Sequence, residues 1–149
     1  MFAWLRKFGI GDPDAVAKTL NKDAASILEM VRSVHGAEVL KHIATIVRDA
    51  RAEVHERATG NPEFYDTGLR ALKDRNADAR RRNDQATWSA LTLTIIYLKA
   101  EVAGAMATPA RAAIDAFLAE WQHAMDDEDG GAGPAAAQDE GGNGGSASA

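Results

Sequence analysis

Residues 86–107, ATWSALTLTIIYLKAEVAGAMA, form the most continuously apolar part of the chain. Trp88, Leu91, Ile95, Leu98, Val102 and Met106 recur every three or four residues, the spacing of one helical face. Leu93, Ile96 and Tyr97 fall off that face and cover the flank and back. A helix that is apolar on most sides is buried on most sides, so this one is either the central helix of a bundle or half of a dimer interface. The uncharged run from Ala86 to Leu98 is thirteen residues long, and Lys99 and Glu101 follow directly. A bilayer crossing needs about twenty apolar residues, so the stretch reads as core and not as a membrane span. Its polar members, Thr87, Ser89, Thr92 and Thr94, can bond back to carbonyls one turn earlier.

The rest of the body punctuates itself into further helices. Asp12-Pro13, Asn61-Pro62 and Thr108-Pro109 each set a capping side chain before a proline suited to the first helical position. Gly36 and Gly60 stand where left-handed C-terminal caps are expected, closing helices over 13–35 and 37–59. Three amphipathic stripes support these bounds. They are Val16, Leu20, Ala24, Ile27, Val31 and Val34; Val39, Ile43, Ile46, Val47, Ala50 and Val54; and Ala110, Ile114, Phe117, Leu118, Trp121 and Met125. Residues 73–85 hold no large apolar side chain. A single helix over 62–107 would be about 69 Å long, too long for a compact domain of this size, so a break near Asn83-Asp84 or a protruding elbow is expected. No stretch alternates with period two, which argues against a sheet.

The 149 residues are 46% hydrophobic and 6% aromatic and include no cysteine, which excludes disulfides, thiolate metal sites and cysteine nucleophiles. Charge is unevenly placed. Residues 126–149 contain six acidic residues, Asp126, Asp127, Glu128, Asp129, Asp139 and Glu140, and no basic one, for a net of −6. The preceding 125 residues hold 17 basic and 16 acidic side chains, for a net of +1. With seven glycines and no large apolar side chain after Met125, the segment 126–149 reads as a disordered acidic tail.

Two segments stand out as candidate binding surfaces. Arg70, Lys73, Arg75, Arg80, Arg81 and Arg82 are offset only by Asp74 and Asp78. Guanidinium groups shared along a helix face suit phosphates of nucleic acid or of a membrane surface, whereas pairing with those aspartates would make a solvated face. No aromatic residue is interleaved in this run to stack bases. The second segment is the N-terminus, where Phe2, Trp4, Leu5 and Phe8 stand beside Arg6 and Lys7 and precede Gly9 and Gly11. It lacks the apolar core and cleavage site of a secretory signal. Such a segment either docks on a partner or membrane interface, or folds back through its glycines onto its own bundle.

Catalytic chemistry finds no motif here. Ser26, Ser33 and Ser89 lie in no nucleophile elbow, and no glycine-rich phosphate loop occurs. Glu120 and His123 form one Glu-x-x-His, the spacing that di-iron bundles use twice, but a second copy is missing. His35, His42 and His55 read as boundary residues, with His55 turned toward solvent.

The expectation is an all-α protein: a compact bundle of four main helices plus a short N-terminal turn. Residues 1–11 are an aromatic and basic segment, 12–125 the helical domain and 126–149 the tail. Eleven arginines against six lysines hint at a GC-rich coding sequence, bacterial or from a bacterial virus. The functional expectation is a non-enzymatic, cytoplasmic interaction protein without catalytic residues, metal or cofactor. It would be an adaptor, inhibitor or assembly factor that engages a protein partner through helix faces, with Leu93, Ile96 and Tyr97 as a dimer face. The alternatives are a nucleic-acid or anionic-membrane binder using Arg70, Lys73, Arg80, Arg81 and Arg82, and a helical metalloprotein.

Overall fold

The computed structural model describes residues 12–131. Five α-helices span α1 Pro13–Val34, α2 Ala37–Ala58, α3 Glu63–Arg81, α4 Gln85–Ala103 and α5 Thr108–Gly131, and no strand occurs among the described residues. There are five main helices where four were expected, α3 and α4 being separated at the break expected near Asn83-Asp84. The aromatic segment with Phe2, Trp4, Leu5 and Phe8 lies outside the described residues, as do residues 132–149.

Local chemistry sets most of the boundaries. The Asp12 carboxylate accepts from the Asp14 N–H at 3.1 Å and starts α1 with Pro13 in the first turn. Asn61 Oδ1 accepts from the Glu63 N–H at 3.2 Å and does the same for α3. Gly60, at φ 82°, takes the expected left-handed turn after α2. Gly36 does not: its φ is −83°, because His35 is already extended and the chain changes direction across two extended residues. Thr108 is not the cap of α5 either. Asn21 of α1 supplies it, with Oδ1 accepting from the Ala110 N–H at 2.9 Å and Nδ2 donating to the Met106 carbonyl at 3.0 Å.

The expected break falls at Asn83, whose φ is 59°. Asp84 N–H reaches back to the Ala79 carbonyl at 2.9 Å and Asn83 N–H to that of Arg80 at 3.1 Å, which closes α3 with a Schellman turn. Asp84 then caps α4 by accepting from the Thr87 N–H at 3.2 Å. At its other end α4 stops at Ala103, short of the expected 107, because Gly104 adopts φ 91° and a 3₁₀ turn follows over Ala105–Ala107. Met106 therefore leaves the α4 stripe and is 52% exposed. Helix α5 continues to Gly131, six residues into the segment expected to be disordered. Asp126 to Asp129 include no helix breaker, so an established helix propagates until the glycine pair at 130 and 131.

Helix α4 is the centre of the fold and packs against α1, α2 and α3. Leu91, Leu93 and Leu98 are fully buried, and Ile96 and Tyr97 are 6% and 9% exposed. The chain itself covers Leu93, Ile96 and Tyr97, so they offer no face to a second copy. The Tyr97 ring carries the Arg51 guanidinium at 4.7 Å, and Asp115 accepts from Arg51 at 2.8 Å and from the Tyr97 hydroxyl at 3.3 Å. Around α4 the stripes are rotated slightly from the expected ones. Helix α1 buries Ala17, Leu20, Ala24, Leu28 and Val31, while Val34 is 56% exposed, and α2 buries Leu40 and Ala44 in place of Val39 and Ile46. Each fully buried aliphatic side chain contributes about 1.5–3 kcal/mol, enough to override the nominal stripe where a one-residue rotation buries more.

A boundary between two compact units falls after Leu118. The described part of the second unit, 119–131, is helical, with Glu120 exposed and Trp121 half-buried. No helix among the described residues is long and apolar enough to cross a membrane.

Candidate functional site

The hairpin of α3 and α4 organises the basic run. Asn76, on α3, donates through Nδ2 to the Trp88 carbonyl at 3.0 Å and to Thr92 Oγ1 at 2.9 Å. This amide fixes the register of the two helices and sets Arg80 and Lys73, one turn to either side, against α4. Along α4, Trp88, Thr92, Ile95, Lys99 and Val102 all keep part of their surface. Their spacing places them on one line, so the enclosed helix shows an edge to solvent beside α3.

The six basic residues divide by partner. Arg70 pairs with Asp66 at 3.0 Å, and Arg81 and Arg82 share Asp78 at 3.3 and 2.9 Å. These exposed pairs are each worth about 0.2–1 kcal/mol, little enough for a competing anion to displace. Lys73, Arg75 and Arg80 have no carboxylate partner among the described residues. Helical spacing puts Arg75 across α3 from Lys73, which leaves Lys73 and Arg80 on the α4 side.

There α4 adds two residues that the sequence pattern did not assign to this surface. The Arg80 guanidinium lies over the Trp88 ring at 5.8 Å, so an aromatic does accompany the basic run, brought in from the next helix. Lys99, half-buried, is also without a carboxylate partner among the described residues. Burial, and after it the like charge of Lys73, pushes its ammonium below the usual lysine value. Lys99 thus feels the charge of Lys73 across the hairpin, and neither has a carboxylate partner among the described residues. The sequence held a signal for the first pair: folding at Asn83-Asp84 sets Arg80, three residues before the turn, near Trp88, four residues after it. Lys99 appeared only as the residue ending an apolar run.

At the elbow an open cleft of about 380 Å³ is lined by Ala79, Arg80, Asn83, Asp84, Gln85 and Trp88. Asp84 is committed to capping, and its bonds to Thr87 hold its carboxyl below the usual aspartate value. The Asn83 and Gln85 amides supply neutral donors and acceptors.

A second polar cluster joins α2, α3 and α4. His55 Nε2 lies 2.6 Å from Glu101 Oε1, and the Tyr65 hydroxyl contacts the Leu98 carbonyl and Glu101 Oε1, the latter at 3.0 Å. Burial foremost, and then the Glu101 charge, pushes the Tyr65 phenol far above its usual value, so it keeps its proton. The cleft of about 240 Å³ beside it is lined by His55, Tyr65, Glu101 and Val102 and presents no nucleophile. The cluster ties three helices together. His55 keeps 41% of its side chain exposed, in keeping with a position toward solvent, and engages Glu101 there. His42 is exposed, and the side chain of His123 lies outside the described residues. Among the described residues no group of three or more His, Asp or Glu is placed to hold a metal ion.

Comparison of the chain with family models, curated proteins and solved structures gave no match.

Proposed function

We propose that this protein is a non-enzymatic interaction protein of the cytoplasm that holds an anionic partner on its α3–α4 face. One observation carries the reading. Arg80 lies over the Trp88 ring at 5.8 Å, and it, Lys73 and Lys99 have no carboxylate partner among the described residues, whereas Arg70 pairs with Asp66 and Arg81 and Arg82 share Asp78. Half-buried Lys99, without a counter-charge among the described residues, costs stability in the free protein, and the cost is relieved when an anion binds beside its ammonium group. Arg80 extends the positive stripe toward the elbow, and partly exposed Ile95 and Trp88 give it apolar footing. That combination of flanking cations and a shallow apolar strip suits a macromolecular ligand better than a small ion.

The test is fluorescence anisotropy of the full chain with three labelled probes: a short single-stranded oligonucleotide, a glutamate-rich peptide and phosphatidylserine vesicles. At least one is expected to bind, and to be released when Lys73, Arg80 and Lys99 are together replaced by glutamate. Binding of none, or binding indifferent to that replacement, overturns the reading.

A further inference from the structure

Resting on that reading, we infer that the partner is a single-stranded nucleic acid and that the elbow cleft seats one of its bases against Trp88. An acidic peptide or a headgroup layer would need only the cations. The cleft offers more: a half-buried indole whose ring is covered by a guanidinium, with two neutral amides at its rim. A cation resting on an aromatic face at a partly exposed position is held by about 0.5–1 kcal/mol, whereas a base stacked on the same face gains more. A base therefore displaces Arg80 from the ring. The freed guanidinium remains tethered at the mouth of the cleft, where the phosphate of that nucleotide must lie, and trades its place on the ring for charge-assisted hydrogen bonds.

The remaining geometry suits a strand running along the hairpin. Lys73 lies two helical turns from Arg80, about 10 Å along α3, and Lys99 lies on the partly exposed edge of α4 within reach of its charge. Phosphates leaving the cleft would meet these two ammonium groups next. Asn83, held at φ 59° by the Schellman turn, and Gln85, whose Nε2 also donates to Met30 Sδ at 3.8 Å, line the cleft together with the ring and offer amide groups to a base edge. Asp84, the one acidic residue in the lining, is turned to the first turn of α4 and does not neutralise Arg80.

The experiment compares the full chain's affinity for a short single-stranded oligonucleotide with that for an abasic strand carrying the same phosphates. The intact strand is expected to bind about 5- to 100-fold more tightly, with the difference kept in Trp88→Tyr and abolished in Trp88→Ala. The abasic comparison needs no substitution, so a poorly folded Trp88→Ala does not decide it. Equal affinity for the two strands removes the base seat and leaves the anionic face intact. Binding of the glutamate-rich peptide or the vesicles with none of the oligonucleotide overturns the nucleic-acid assignment while the proposed function survives. Failure of all three probes overturns both.

Discussion

Lys99 shows how a single residue links stability to the proposed activity. It is half-buried, and its ammonium feels the like charge of Lys73. Replacement by methionine keeps the stem packing and removes the repulsion, so Lys99→Met should raise stability in urea denaturation by ~0.5 kcal/mol, a figure kept small because solvent screens the exposed half. The same variant should bind the oligonucleotide more weakly, and a destabilised Lys99→Met would argue against the like-charge description. Tyr65 gives the opposite kind of prediction. Its folded-state pKa lies above the unfolded value of about 10, so its contribution is whole below that pH and is lost as pH rises past it. Tyr65→Phe should cost ~1 kcal/mol near neutrality by removing the bonds to Leu98 and Glu101. Above about pH 10 its stability should fall less steeply than that of the parent, as denaturation midpoints across that range would reveal.

At the scale of elements, two close approaches set the packing. A methyl added at Gly68 of α3 would meet Val54 Cγ2 of α2 at 2.9 Å, and the branched valine cannot swing aside. Gly68→Ala should therefore destabilise by ~1–3 kcal/mol, despite the better helix propensity of alanine. Asn21 caps α5 from α1, and Asn21→Ala should cost ~1 kcal/mol. Thermal denaturation reads both, and unchanged midpoints would contradict the assigned packing and cap. These two features also mark what the sequence could and could not disclose. Asp12, Asn61, Gly60 and the break at Asn83-Asp84 act on their own chain neighbours, so their roles were legible from local chemistry. The cap of α5 comes from a residue 89 positions away, and the end of α4 depends on the backbone that Gly104 adopts, so neither was. Leu93, Ile96 and Tyr97 announced an enclosed helix correctly, but only the packed fold showed that the chain itself encloses it.

For the molecule as a whole, net charge is a poor guide, since a body near neutrality carries a local cationic stripe that an average conceals. The basic run was visible in the sequence, yet half the candidate site was not, because Trp88 and Lys99 join it only once α3 and α4 fold back on each other. The most direct test is the salt dependence of oligonucleotide binding between about 50 and 200 mM salt. The cationic face predicts that log affinity falls linearly with log salt, and that replacing Lys73, Arg80 and Lys99 together makes the slope shallower by about 2, roughly 0.7 for each phosphate no longer neutralised. A slope unchanged by that replacement would mean that the α3–α4 face does not hold the anion.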